Sequence, residues 1–446
     1  MNIKGVERKV YFVLLGLLSD NLSINTFMGY ATSFSSMYYC RFCKLDKKAA
    51  QTQIQLHREL NRTKSNYEED LNKPFKETGI KENSESNRLK YYHAEESCVV
   101  DVMHDLFSHG ICAYDFAAVL NYMIKTLKIS LHTINYRIKK FKYGESEKQH
   151  SLKKNKKNHI RTASFKMTAK DMLRFVRYFP LIFGDLVPQN NEVWNFVLSL
   201  VELVDLVMLP SFNEHLLKIL EEQIIYHHTL YTQLFNEKLK PKYHILLHYV
   251  QTIRKLGPPR YTWSFRFEAF HQIFKKYCRN ITSRRNICLT LCTKASLIFS
   301  NNLNNANFFG IDLTYKNAVT VKLINMPYFA LLDIDSNIHL HNFQASNNVS
   351  YKGVEYKIGY FLSKSSRRLS NIELYEIRDI LIKNDDLYFV CRKWRISNYS
   401  EHYAAFEVTG PCDMYKIAEV NEFDGPPIHL YSIENKLYIR LKKYFI

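Results

Sequence analysis

Lys240-Pro241-Lys242-Tyr243-His244-Ile245-Leu246-Leu247-His248-Tyr249 is the stretch whose reading decides the fold. Pro241 suits the first turn of a helix, where its missing N–H would be unpaired anyway. Gly257-Pro258 ends that helix. His244 and His248 stand four residues apart, so both imidazoles leave one face. A second helix follows Trp263. Phe267, Phe270, Phe274 and Tyr277 form its apolar stripe, and Glu268, His271 and Lys275 lie on another face. The region offers half of a metal site and an acid on a packed helix. Each needs a partner from elsewhere in the chain.

Cys40-Arg41-Phe42-Cys43 supplies the first candidate. Two thiolates at this spacing can clasp one zinc ion, which takes four ligands. A redox pair or buried free thiols are the competing readings. No second C-x-x-C exists, and His244/His248 is the only histidine pair at i, i+4 in the chain. Cys2His2 is therefore the economical closure. The nine cysteines are an odd number and otherwise scattered, which suits a reducing compartment better than a disulfide framework.

Val10 to Leu18 is a continuous apolar run. It fits a strand buried on both faces, with Asp20 at its carboxyl end, where α/β sheets place ligands. The alternative makes Asp20 a turn or N-cap residue. Asp101 and His104, three apart, share one face of a helix start, and a capping Asp with a solvent-facing His is the plainer reading there.

The chain is basic, with a formal net charge of +19 over 446 residues. That balance argues for a polyanionic partner, DNA by default. The run holding Lys153, Lys154, Lys156 and Lys157 is either a solvated loop or a phosphate-neutralising one. No run reaches transmembrane length, so a membrane partner is not expected. Residues 168–183, 192–208 and 211–238 carry 3.6-periodic apolar patterns and read as a helical subdomain. After the Asn-rich break at 301–307, strand-like runs separated by turn residues suggest a small antiparallel sheet or barrel.

Read together in order, these pieces resemble a known set. Ser19-Asp20-Asn21-Leu22 with Asn25, Cys40-Arg41-Phe42-Cys43, and Asp101-Val102-Met103-His104-Asp105 are its first three parts. The fourth runs from Leu239 through His244 and His248 to Tyr249. The fifth is Gly257-Pro258 with Trp263, Arg266, Phe267, Glu268, His271, Phe274 and Lys275. The set is similar to a block of animal CACTA (EnSpm-type) DNA transposases, over roughly residues 5 to 300. The resemblance implies an α/β fold: a partial RNase H-like core, a large helical insertion and a β-rich tail. The expected organisation is 1–45 for a core strand and the Cys pair, and 46–239 for the insertion. Residues 240–300 would hold the His pair and the Glu helix, 301–345 a linker, and 346–446 the β-rich domain.

By that resemblance Asp20 is the second metal-binding acid and Glu268 the third, serving two-metal Mg2+ phosphodiester chemistry. Asp101, His104 and His271 would neighbour the site. The catalytic chain of the V(D)J recombinase has a related layout, with two Cys after the second Asp and two His before the Glu. Here 20 residues separate Asp20 from Cys40, and 20 separate His248 from Glu268. The expected partners are transposon terminal repeats, contacted in part by Lys275, Arg284 and Arg285, and a second copy of the chain. The expected compartment is the nucleus. The family's first Asp lies well upstream of the Asp20 block, and no acid here matches it. The chain therefore reads as a truncated or decayed transposase that does not cut DNA alone, or as a non-catalytic DNA-binding scaffold built from that remnant.

Overall fold

The computed structural model describes every residue except 1, 4–5, 8, 10, 12–13, 145–155, 166, 283–284, 305–312, 334–341, 366–371 and 442–446. The fold is mixed α/β and divides into two compact units. The first comprises Met1–Lys139, Leu152–Arg177 and Asn190–Phe270. The second comprises Lys140–Ser151, Tyr178–Gln189 and His271–Ile446.

The first unit is mainly helical. Helices Ile111–Lys125, Glu192–Val207 and Glu214–Phe235 form where the apolar period is 3.6. Asn191 and Asn213 cap the last two by accepting from the backbone N–H three residues on. Residues 46–90, which read from sequence as an exposed excursion, instead wrap the Cys40–Cys43 loop. They contribute buried Tyr67, Ile80, Arg62 and Asp70. Gly79 closes the short helix Phe75–Thr78 at φ +74°. A Cβ there would lie 2.0 Å from the Tyr38 carbonyl oxygen, so only glycine lets the two backbones meet.

Three expectations fail in this unit. Residues 14–20 form no strand: Leu15 is 65% exposed, and Leu18 is only partly buried, against Ile24, Met28 and Val99; Val10, Phe12 and Val13 of the apolar run lie outside the described residues. An apolar run becomes a strand only beside another strand edge, and the nearby ladder is the two-residue pair Asn2–Ile3 with Val6–Glu7. Asp20 is accordingly an N-cap: its side chain accepts from Ser23 N at 2.7 Å and starts the helix Asn21–Phe27. The His-bearing helix is two, Pro241–Leu247 and Tyr249–Leu256, with His248 capping both. Finally, helix Phe265–Asn280 has no buried residue, with Phe267 47% and Phe270 42% exposed. Its apolar stripe is real, but no core covers it.

The second unit is β-rich. Its nine-stranded sheet runs Leu430–Ile433, Lys436–Ile439, Ala405–Glu419, Asp386–Ser400, Ile372–Lys383, Asn342–Ala345, Val319–Lys322. Phe361–Ser365 pairs antiparallel with Ile372–Lys383, and Leu332–Asp333 pairs parallel with Ala405–Glu419. A three-stranded sheet joins Leu313–Tyr315, Asn348–Tyr351 and Val354–Lys357. Stretch 301–345, read from sequence as a linker, thus contributes strands. Three hairpins turn on two residues of positive φ: Lys352-Gly353, Asn384-Asp385 and Glu434-Asn435. That backbone matches the right-handed twist of the flanking strands. A core of Val349, Tyr356, Leu362, Ile377, Ile380, Phe389 and Cys391 fills one face.

Candidate metal centre and acidic cluster

The Cys40–Cys43 loop is held by backbone and guanidinium contacts. Lys44 N donates to Leu60 O at 2.9 Å, and Arg62 N to Phe42 O at 2.9 Å. Arg62 Nε donates to Cys40 O at 3.1 Å. The histidine side is anchored by Tyr243, whose hydroxyl donates to Asp115 Oδ1 at 2.5 Å. These supports bring Cys40, Cys43, His244 and His248 together, with every ligand atom within 4.8 Å of the others. All four are 1–2% exposed.

Cys40 Sγ lies 3.6 Å from His248 Nε2, Cys43 Sγ 3.2 Å from His244 Nε2, and the two Nε2 atoms 3.4 Å apart. A tetrahedral zinc with Zn–S of about 2.3 Å and Zn–N of about 2.05 Å requires S–N edges of about 3.55 Å and an N–N edge of about 3.35 Å. Three of the six donor–donor edges are thus close to those of such a tetrahedron, and the other three lie within 4.8 Å. Their supports are those of a ligand set: Gln53 Oε1 lies 3.0 Å from His244 Nδ1, and Phe42 N donates to Cys40 Sγ at 3.4 Å. The Phe42 ring stacks on His248 at 5.0 Å.

Protonation follows the same crowding. Burial raises the Cys40 thiol, but the Cys43 hydrogen bond and the neighbouring imidazoles outweigh it and bring it well below its ordinary value. Its partner Cys43 keeps the shared proton and is raised, chiefly by the hydrogen bond to Cys40 and then by burial. Burial lowers His248 and favours the neutral imidazole a metal needs. Two thiolates and two neutral imidazoles would cancel the charge of one divalent ion.

A second cluster lies in the same unit. Asp101 accepts from Ser264 N at 3.0 Å, Ser264 Oγ at 2.7 Å and Met103 N at 3.2 Å. Its Oδ2 is 2.5 Å from His104 Nδ1. The other nitrogen of that ring, Nε2, is 3.2 Å from Glu268 Oε1. The Asp101 hydrogen bond raises His104 against the effect of burial, and the charges of Asp101, Glu268 and Asp20 add to it. Asp101 is lowered: burial would raise it, and the His104 and Ser264 hydrogen bonds prevail. Lys242 Nζ donates to the carbonyls of His104, Ser108 and His109, tying the π-helical turn Met103–Phe107 to the His-bearing helix.

Asp101, His104 and Glu268 are thus in contact, and the charge of Asp20 reaches His104. His271, Lys275 and Arg285 are exposed, as are Lys156 and Lys157 at the start of Lys157–Arg161. Lys153, Lys154 and Arg284 lie outside the described residues. Gln53, Lys242 and Ser264 were not anticipated, because their roles rest on contacts between distant parts of the chain that no spacing encodes. The buried network of Asp115, His227, Ser199 and Tyr243 was missed too. There His227 Nε2 is 3.1 Å from Asp115 Oδ2 and Nδ1 is 2.7 Å from Ser199 Oγ. Ser199, His227 and Asp115 are 0–2% exposed, so this network is structural rather than catalytic.

No protein-family model matches the chain, and no curated protein matches it. The buried Cys2His2 cluster is fit to bind a metal ion. Among the described residues it is the one group of three or more potential ligand side chains close enough to share an ion.

Proposed function

We propose that this chain is a DNA-binding protein of DDE-transposase type, with a structural zinc at Cys40, Cys43, His244 and His248 and a non-cutting acidic cluster. The zinc reading rests on donor chemistry: two thiolates and two imidazoles within 4.8 Å of one another suit zinc over the hard, oxygen-loving Mg2+. When bound, zinc would pin the Cys loop to the paired helices across some two hundred residues of chain. The transposase reading rests on one observation above all. Asp20 and Glu268, the two acids singled out by the resemblance, both act on His104.

The same cluster does not fit a Mg2+ pair. Asp101 has both oxygens engaged by four donors, and Asp20 spends an oxygen on the Ser23 N–H. No three carboxylates among the described residues converge within ligand distance. No cutting step is assigned to the chain. What supports the DNA-binding reading is the net charge of +19 and the exposed Lys156, Lys157, Lys275 and Arg285.

The test is binding of short DNA duplexes between 50 and 200 mM salt. Affinity should fall steeply, with a log–log slope of about −0.9 per phosphate neutralised. Glu268→Gln should leave that binding unchanged. Salt-insensitive or absent binding would leave only a zinc-bearing protein unrelated to nucleic acid. Duplex cleavage with Mg2+ that Glu268→Gln abolishes would show that the cluster cuts after all.

A further inference from the structure

Behind the Cys40–Cys43 loop lies a cavity of about 60 Å³, lined in part by Arg41, Asn61, Arg62, Glu95, Cys98 and Lys255. Arg41, Arg62 and Glu95 are 2%, 6% and 8% exposed. Each carries an atom with no hydrogen-bond partner: Arg41 Nε, Arg62 Nη1 and Glu95 Oε1. Asn61 Oδ1 is a fourth.

Arg62 has an acid at the edge of reach, Asp70 Oδ2 at 3.9 Å. Arg41 hydrogen-bonds to neutral groups: Nη1 to Asn21 Oδ1 and Asn25 Oδ1, and Nη2 to Val99 O. The anions near the pair stand off from it: Asp105 acts on Arg41 by charge and bonds to Asn21 rather than to the guanidinium, so neither arginine has an anion in hydrogen-bond contact. Glu95 does not act as that anion. Burial pushes its carboxyl well above the ordinary range, and Lys255 only partly opposes this. In its protonated form it is one more O–H donor. Residues lining the cavity thus carry three unpartnered donor groups, two of them cationic, and a single orphan acceptor. The Lys255 ammonium and the Glu96 carboxylate also line it, both in exposed residues.

We propose that this cavity binds one phosphate group, free or as the terminal phosphomonoester of an oligonucleotide. A volume near two waters (about 30 Å³ each) admits one tetrahedral oxyanion and excludes a sugar or base. The bare oxygens take the Arg41, Arg62, Glu95 and Lys255 donors, and the single proton of hydrogen phosphate serves Asn61 Oδ1. An internal phosphodiester carries a sugar on both sides and cannot enter. This site is separate from the DNA surface proposed above and stands whether or not the chain binds duplexes.

The experiment is calorimetric titration of the zinc-loaded full chain with inorganic phosphate, against chloride at matched ionic strength. Saturable one-to-one binding is expected for phosphate and not for chloride. Lys255→Ala should weaken it about two- to fivefold, the worth of a rim charge. Glu95→Gln keeps a neutral donor and should leave affinity within about twofold. A 5′-phosphorylated oligonucleotide that competes, where its unphosphorylated twin does not, assigns the site to nucleic-acid ends. Failure of both to compete assigns it to the free anion. Absent or non-saturable phosphate binding, an equal response to chloride, or unchanged affinity in Lys255→Ala would overturn the proposal. Crystals soaked in arsenate, which shares phosphate's shape and proton, give a check that needs no variant: anomalous density between Arg41 and Arg62 supports the site, and its absence removes it.

Discussion

Replacing Cys40 by Ser tests the metal centre most directly. Structural zinc in small domains contributes about 10–16 kcal/mol of apparent binding free energy at neutral pH. Shared over four ligands, one thiolate is worth about 2.5–4 kcal/mol, which at about 1.4 kcal/mol per tenfold is a loss of roughly 10²–10³ in zinc affinity. The geometry supports the upper part of that range. Cys40 Sγ sits 3.6 Å from His248 Nε2 and receives the Phe42 N–H, so a serine there strips both the ligand and its support. With its side chain buried, the new hydroxyl has no water to fall back on. The assay is competition for zinc against a chromophoric chelator, with bound metal counted by elemental analysis and melting followed in parallel. Wild type should hold one zinc per chain. Cys40→Ser should lose it to chelator concentrations hundreds of times lower and melt earlier. Full zinc content at unchanged affinity in Cys40→Ser would refute the ligand set.

Further outcomes follow from the same contacts. Gln53→Ala removes the oxygen facing His244 Nδ1 and should weaken zinc about ten- to a hundredfold while the stoichiometry stays at one; no change would mean Gln53 does not orient the ring. The Asp101–His104 pair has a defined pH window. Asp101 is held below its ordinary 3.8, so its contribution is present above that value and lost as pH falls through the lowered one; His104 is raised above 6.5, so its contribution is complete below 6.5 and lost as pH rises through the raised value. In Asp101→Asn the His104 resonance, followed by NMR, should titrate at lower pH than in wild type, and an equal or higher midpoint would contradict the pairing. Asp115→Ala strands the Tyr243 hydroxyl and His227 in a sealed core and should cost about 3–5 kcal/mol in urea unfolding, with a loss under 1 kcal/mol counting against the network. Gly79→Ala forces a side chain onto the Tyr38 carbonyl at φ +74° and should lower both the melting temperature and zinc affinity; a wild-type melt would show that the loop gives way freely.

The Cys40/Cys43 and His244/His248 spacings were enough to name the four side chains of the buried cluster, because C-x-x-C and H-x-x-x-H each fix their geometry within a turn of chain. The helices Glu192–Val207 and Glu214–Phe235 and the long strands after residue 371 were legible for the same reason: apolar period and turn residues act over a few positions. No local pattern links Asp101, His104 and Glu268 across the chain; their contacts are set by the tertiary fold. Tertiary structure decided the rest. Val10 to Leu18 has strand composition, but its described residues 14–18 pair with no strand: Leu14 and Leu15 are exposed, and Leu18 leans on the core around Ile24 and Val99. Phe267 and Phe270 have core composition, yet burial depends on a facing layer and not on the stripe itself. Nothing in the sequence marks Arg41 and Arg62 as buried, and packing around the Cys loop encloses both beside a cavity. Spacing along the chain sets which side chains share a face; only the folded backbone sets what that face meets.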